Sequence, residues 1–165
     1  MDRRRELPRV ADVRICGAGI SRTVALRRDD DRLEVDLAGD VVTVNLLAGE
    51  MARKASRYEF GGLVASGPTL APLAHAMASF LALEHYGILD TAKAEVTGNP
   101  GDRENPEIIF VEGFVECENT VAWQTLTANP GWGRPVARVA VLVGPLVPED
   151  TDIYYAGRLR DEHPH

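Results

Sequence analysis

Residues 70–86 read LAPLAHAMASFLALEHY, an apolar segment rich in leucine, alanine and methionine. These residue types favour helix, and apolar side chains on nearly every side are typical of a buried helix rather than a surface one. Thr69 precedes the segment as an N-cap residue, Pro72 lies in the first turn, where proline is tolerated, and Gly87 follows as a C′ residue. The sequence therefore predicts one long buried helix over residues 69–86.

Short β-rich segments flank this helix on both sides in the sequence. Residues 33–37 alternate between apolar and polar side chains, and residues 41–47 are rich in β-branched residues, so we expect a hairpin over residues 33–47. Four further strands are predicted after the helix, with connections too short for the helical crossovers of a parallel sheet. We therefore predict an α+β fold, in which a mostly antiparallel sheet packs around the buried helix at residues 69–86.

The length of 165 residues and the apolar content of 45% fit one domain with a core of its own. We predict a single α+β domain over residues 10–160. A disordered basic N-terminal tail over residues 1–9 and a frayed C-terminal tail over residues 161–165 are expected to flank it.

The net charge of −7 is spread unevenly along the chain. Residues 1–32 hold nine arginines against six acidic residues, whereas the rest is acidic and would repel a phosphate backbone. The sequence offers no apolar stretch of membrane-spanning length, and its two cysteines form neither a disulfide framework nor a zinc motif. We therefore predict a cytoplasmic protein without nucleic-acid or membrane partners.

The stretch FVEGFVECE at residues 110–118 places acidic and aromatic side chains on one face of a predicted strand. Because side chains alternate with period two, three glutamates share that face with Phe110 and Phe114. These glutamates are Glu112, Glu116 and Glu118. Three interpretations stay open: the face is solvated, it forms an oligomer interface, or it lines a pocket whose apolar walls adapt a carboxyl group to acid–base chemistry.

His75 lies inside the predicted buried helix, where an imidazole needs a polar partner. That partner is Ser79, a backbone carbonyl, or a carboxylate of the acidic strand. Tyr58, beside a glycine pair, and Trp132, between two glycines, are candidates for the rim of a pocket. The candidate catalytic residues are His75, Glu112 and Glu116, and the candidate substrate-binding residues are Tyr58, Phe110, Phe114 and Trp132.

The motifs of the common cofactor sites are incomplete in this sequence. Gly17 and Gly19 form a G-x-G after a strand, but Arg22 stands where a dinucleotide fingerprint has its third glycine. The sequence contains neither a phosphate-binding loop of the Walker type nor a pair of metal-binding histidines on one helix face. We therefore predict neither a cofactor nor a metal.

The predicted function is cofactor-independent general acid–base catalysis on a small molecule, of the dehydratase, isomerase or lyase type. The site is expected in a pocket between the central helix and the acidic strand at residues 108–118. The alternative is a non-catalytic ligand-binding module or a homo-oligomeric assembly module. In either case we expect a small-molecule ligand and a homo-oligomer.

Overall fold

The computed structural model describes residues 10–15, 17–29, 32–101 and 106–159. The predicted tails at residues 1–9 and 161–165 lie outside the described residues, and the single domain over residues 10–160 stays a prediction. Among the described helices, none combines the length and the apolar content needed to cross a membrane.

Nine strands, three α-helices and two short 3-10 helices make up the regular structure of the described residues. The strands are β1 (Val10–Ile15), β2 (Ile20–Asp29), β3 (Arg32–Asp36), β4 (Gly62–Ala65), β5 (Gly87–Asp90), β6 (Glu95–Gly98), β7 (Glu107–Val115), β8 (Arg134–Val143) and β9 (Tyr154–Arg158). The α-helices are α1 (Val41–Ala55), α2 (Ala71–Phe80) and α3 (Val121–Thr127), and the 3-10 helices are Pro68–Leu70 and Pro130–Trp132.

The larger of two sheets has six strands in the order β6-β5-β4-β7-β8-β9. Five of these strands run parallel, and β6 pairs antiparallel with β5. The predicted antiparallel sheet around one long helix is therefore wrong. Helix α2 connects β4 to β5 and helix α3 connects β7 to β8, so both provide crossovers between parallel strands.

The two faces of the large sheet are covered by different helices. Leu63 and Ala65 on β4 belong to the main core with α1 and α2, whereas Val64 belongs to a second core with Leu126 of α3. This alternation explains why β7 is apolar along most of its length, since both of its faces are buried.

Helix α1 replaces the strand that the sequence predicts over residues 41–47. The β-branched residues there favour a strand locally, but Asp40 caps a helix by accepting a hydrogen bond from the Thr43 N–H at 3.0 Å. Buried side chains then recur every three or four residues, which is the period of a helix. The burial of this stripe outweighs the local preference for strand. Its main apolar residues are Val44, Leu47, Ala48, Met51 and Ala55.

Helix α2 is shorter than the helix predicted over residues 69–86 and ends at Phe80. Ala82 then adopts a left-handed conformation with φ of 55°, and the Leu83 N–H donates to the Ala78 carbonyl at 2.9 Å. This hydrogen bond is the one that closes a helix in a Schellman motif. Alanine rarely takes the left-handed position, so its identity gives no signal that the helix ends here.

The smaller sheet has the antiparallel order β1-β2-β3 and packs on the large sheet at two places, β1 on β9 and β3 on β7. A Cβ atom at Gly157 would lie 2.3 Å from the Asp12 carbonyl oxygen, so only glycine allows this approach. A Cβ at Gly113 would lie 3.3 Å from Leu70 and 3.8 Å from Val35. Strand β3 therefore lies over the carboxyl end of β7.

Glu50 on α1 connects this helix to the small sheet and to β9. Its buried carboxylate accepts hydrogen bonds from the Gly17 N–H (3.0 Å), from Arg53 Nη2 (2.8 Å) and from the Tyr154 hydroxyl (3.2 Å). Burial raises the pKa of Glu50, but these hydrogen bonds and the Arg53 charge outweigh it, so that the pKa lies below its ordinary value. Glu50 is therefore ionised at neutral pH and serves as a structural junction.

Candidate functional site

The order of the large sheet reverses between β4 and β7. The chain continues from β4 to β5 on one side, whereas β7, β8 and β9 follow one another on the other side. In open α/β sheets such a reversal leaves a crevice beyond the carboxyl ends of the two strands, and ligands bind there. A cavity of about 300 Å³ lies at this point, and we call it the switch-point pocket. Its walls come from residues 33–35, 66, 67, 69, 70, 91, 112–114, 116, 117 and 119–122.

Glu112 is a buried carboxylate in the wall of the switch-point pocket, with 2% of its surface exposed. The Thr120 hydroxyl donates to Glu112 Oε1 at 2.8 Å, and Arg138 Nε donates to Oε2. Each carboxylate oxygen keeps a further lone pair after accepting one hydrogen bond. Glu112 is therefore fixed in position and still able to accept a hydrogen bond from a ligand.

Arg138 on β8 holds together the residues that close the pocket. Besides binding Glu112, its guanidinium donates to the Glu118 carbonyl and to Thr120 Oγ1 at 3.3 Å. The same guanidinium lies 4.5 Å from the centre of the Trp123 ring, within the range of a cation–π contact. Arg138 thus fixes the segment between β7 and α3 against the strand that carries Glu112.

Thr120 links the buried carboxylate to the start of α3. Its side-chain oxygen accepts a hydrogen bond from the Trp123 N–H at 3.1 Å, which makes Thr120 the N-cap of the helix. The same hydroxyl donates its proton to Glu112. One residue therefore sets both the start of α3 and the orientation of the carboxylate.

Glu34 on β3 is a second carboxylate in the wall of the pocket. Its Oε2 atom is buried and has no hydrogen-bond donor among the described residues. Arg27 Nη2 lies 3.9 Å from this oxygen, which is an ion-pair distance and too long for a hydrogen bond. Glu34 therefore presents an acceptor whose hydrogen-bonding capacity is not used.

Some of the residues predicted from the sequence do lie at this pocket. Glu112, Phe114 and Glu116 line it. Strand β7 ends at Val115, so Glu116 belongs to the following loop and not to the strand. Phe110 is buried in the second core, with its ring 5.9 Å from that of Trp123.

The structure does not bring the other predicted residues to this pocket. His75 is exposed on α2, contacts the Tyr86 ring edge-on at 5.9 Å, and lines a separate groove between α1 and α2. Tyr58 follows α1 and lines a cleft beside Arg138, and Trp132 packs against the second core. The prediction that His75 pairs with a glutamate of the acidic strand is therefore wrong. The face of β7 that carries Glu112 is covered by α3 and not by α2, the helix that carries His75. Roles in ligand binding for Tyr58 and Trp132 stay predictions.

Sequence reasoning missed Thr120, Glu34 and the loop at residues 66–70. The available signal was the apolar run of β7 followed by polar residues, which is typical of the carboxyl end of a buried parallel strand.

Similar solved structures belong to one class of protein, although no family model and no curated protein matches the sequence. UMP synthase of Leishmania donovani is 14% identical, with a TM-score of 0.57 over 81% of this chain and 32% of that chain. Orotate phosphoribosyltransferase of Mycobacterium tuberculosis H37Rv is 16% identical in its complex with Fe(III) dicitrate, with a TM-score of 0.54 over 92% of this chain and 90% of that chain. Its complex with inorganic phosphate gives 15% identity and a TM-score of 0.53, over 82% and 80% of the two chains.

The chain has the type I phosphoribosyltransferase fold. It spans about a third of the UMP synthase chain, at 32%, and most of the orotate phosphoribosyltransferase chain, at 90%. The prediction of a dehydratase, isomerase or lyase is wrong, because the proteins that share the fold are transferases. The candidate site is therefore the switch-point pocket on the side of α3, and not the predicted pocket between the central helix and the acidic strand.

Proposed function

We propose that this chain is a ribosyl-transferring enzyme of the phosphoribosyltransferase type. It binds a ribosyl compound in the switch-point pocket and exchanges the group at C1 of the ribose, with a nucleobase as one of the two exchanging groups. The observation that carries the proposal is the buried carboxylate of Glu112, held at the point where the sheet order reverses. The names of the structural neighbours, UMP synthase and orotate phosphoribosyltransferase, support the same chemistry.

The polar groups of the pocket suit a ligand that is rich in hydroxyls. Ser66, Thr69 and Thr91 contribute hydroxyl groups, and Asn119 contributes an amide. Glu112 is ready to accept a hydrogen bond from a ribose hydroxyl on the lone pairs left by its protein partners. A few convergent polar groups in a concave site are what fixes the orientation of a small ligand.

The carboxylates also suit the charge that develops during transfer at a sugar C1. Breaking the bond at C1 gives the ring oxocarbenium-ion character, and positive charge is stabilised by carboxylates already in place. Glu112 cannot turn away, because Thr120 and Arg138 each hold one of its oxygens. Its contribution therefore does not depend on rearrangement during the reaction.

A direct test is to incubate the protein with nucleobases and ribosyl donors and to identify the products by mass spectrometry. The donors are ribose 1-phosphate and 5-phosphoribosyl 1-diphosphate, and the bases are orotate, uracil, hypoxanthine and adenine. We expect a nucleoside or nucleotide from at least one pair. Glu112→Gln should lower kcat about 100-fold, the usual scale for removing one electrostatic contact to a transition state.

Glu84→Gln is the matched control, since the Glu84 side chain is 82% exposed and lies outside the pocket. Circular dichroism of each variant shows that it is folded. Absence of product from every pair with folded wild-type protein would refute the proposed function. A Glu112→Gln variant with unchanged kcat would show that the reaction takes place elsewhere.

A further inference from the structure

We propose that a second cleft, on the open edge of β8, binds a nucleoside 5′-phosphate. The cleft combines unpaired backbone groups, an aromatic ring without a partner and two cations, which suit the base and the phosphate of such a ligand. Among the described residues it meets the switch-point pocket only at Asn119. The proposal does not depend on ribosyl transfer, and it adds a second ligand site with the chemical class of its ligand.

The first feature is an edge of β8 without a partner strand. Strand β8 pairs with β7 from Arg134 onward, but with β9 only from Val139. Residues 135–138 therefore have one open edge, and among the described residues no backbone hydrogen bond joins them to the segment before β9. An open strand edge presents N–H and C=O groups that can pair with an added partner. The edge of a nucleobase carries donors and acceptors in one plane, as a neighbouring strand does.

Two adjoining cavities, of about 550 and 260 Å³, lie along this open edge, and together we call them the β8-edge cleft. Tyr58 and Arg138 line both cavities. The larger one is also lined by residues 135–138 and by Trp123 of α3, and the smaller one by Lys54 of α1. The larger volume lies in the range that is typical of sites for small molecules. A ligand that spans both cavities therefore contacts the open edge and both helices.

Tyr58 is the aromatic ring of the cleft that is free to stack on a ligand. Its surface is 43% exposed, and no ring or cation partner contacts it among the described residues. The indole of Trp123, by contrast, is already covered by the Arg138 guanidinium at 4.5 Å and forms a fixed wall. Stacking on an aromatic side chain tolerates any nucleobase, because every base has a flat π face. The larger cavity therefore suits the base of the ligand.

Lys54 and Arg57 give the smaller cavity its positive charge. Neither forms an ion pair with a carboxylate of the described residues: Lys54 Nζ lies 5.4 Å from the centre of the Tyr154 ring, and Arg57 is exposed. Arg138, the third basic residue of the cleft, is bound to Glu112. Lysine and arginine with unused donors are the side chains that bind a phosphate group. The smaller cavity therefore suits the phosphate.

The acidic side chains of the β8-edge cleft are compatible with this orientation. Glu118 lines only the larger cavity, away from the two cations, and Asp152 lines both cavities. Asp152 is exposed, so solvent screens its repulsion of a phosphate, and its carboxylate can accept a hydrogen bond from a ribose hydroxyl. The base, the ribose and the phosphate then follow one another from the larger cavity to the smaller one.

The test measures dissociation constants by isothermal titration calorimetry for AMP, UMP, adenosine and uridine. We expect at least one monophosphate to bind with a dissociation constant below about 1 mM, and its nucleoside to bind at least about tenfold more weakly. Arg57→Gln removes one charged donor and Tyr58→Ala removes the stacking ring, so each should weaken the monophosphate about tenfold. Arg14→Gln is the matched control and should leave the binding unchanged, since Arg14 is exposed on β1 and lies outside the cleft.

Three results would overturn the proposal. They are the absence of binding by both monophosphates at about 10 mM, equal binding of a nucleoside and its monophosphate, and unchanged binding in Arg57→Gln and Tyr58→Ala proteins that circular dichroism shows to be folded. The last result would mean that the ligand binds elsewhere, for example in the switch-point pocket. Each of them leaves the proposed function standing, because ribosyl transfer is judged by its products. In the same way, the expected pattern supports the β8-edge cleft even if no transfer product is found.

Discussion

Replacing Arg138 by methionine removes the guanidinium while an unbranched stem of similar length stays against Trp123. The Arg138 side chain is 9% exposed and that of Glu112 is 3% exposed, so the variant leaves a buried carboxylate without its cation. Breaking a buried ion pair from one side costs about 3–5 kcal/mol, because the remaining charge is uncompensated. For a chain of 165 residues this corresponds to a fall in Tm of roughly 10 °C.

The assay is urea unfolding at pH 7, followed by far-ultraviolet circular dichroism. Arg134→Met is the matched control, since Arg134 also lies on β8 and also pairs with a glutamate of β7, Glu107, but in an exposed position. Its loss should cost less than about 1 kcal/mol. In a double-mutant cycle, Glu112→Gln should recover at least about 2 kcal/mol in the Arg138→Met background, because it removes the orphaned charge.

Two results would refute this reasoning about Arg138. One is a loss of less than about 1 kcal/mol in Arg138→Met, equal to that of Arg134→Met, which would place the ion pair in effective contact with solvent. The other is a coupling energy below about 0.5 kcal/mol, which would mean that Glu112 does not depend on Arg138 for its compensation.

Three further substitutions test other parts of the fold by the free energy of unfolding. Glu50→Gln should lower the free energy of unfolding by about 1–3 kcal/mol at neutral pH. Because the pKa of Glu50 is lowered on folding, this loss of stability should shrink as the pH falls below about 4.5. A loss that stays constant from pH 7 to pH 3 contradicts this. Ala82→Gly should stabilise the protein by about 0.5–1 kcal/mol, because it relieves an alanine in the left-handed conformation. Ala76→Gly inside α2 is the control and should destabilise the protein by a similar amount. A loss of stability in both variants would contradict the strain at Ala82. Gly157→Ala should cost about 2 kcal/mol or more, since β1 must move away, whereas Gly61→Ala, with open space at its Cβ, should change the stability by less than about 0.5 kcal/mol.

The sequence allowed parts of the fold to be predicted, and the errors have identifiable physical causes. The apolar segment that begins at Leu70 does contain a helix, α2, because its composition favours helix, but the predicted C′ role of Gly87 is wrong, since Gly87 is the first residue of β5. The β-branched residues at 41–44 favour strand, and only the contacts of α1 with the sheet and with α2 reverse that preference. The topology was missed because β7 was interpreted as alternating, whereas burial on both faces makes it a central parallel strand.

The candidate site could be predicted only in part. Glu112 attracts attention in a sequence because a carboxylate inside an apolar strand needs a partner. The partner is Arg138, which is 26 residues away along the chain, and the pairing of β7 with β8 in parallel register brings the two together. Which strands pair depends on the order of the sheet, so no local sequence pattern predicts that Glu112 and Arg138 meet.

The contact of Arg138 with Trp123 has a consequence for how the protein folds. Arg138 lies on β8 and Trp123 on α3, so the guanidinium can reach the indole only after the crossover from β7 through α3 to β8 has closed. Closing such a non-local connection is slow, because chain entropy is lost before the contacts form. The fluorescence of Trp123 therefore reports when this crossover closes, and the crossover carries the wall of the pocket that contains Glu112 and Thr120.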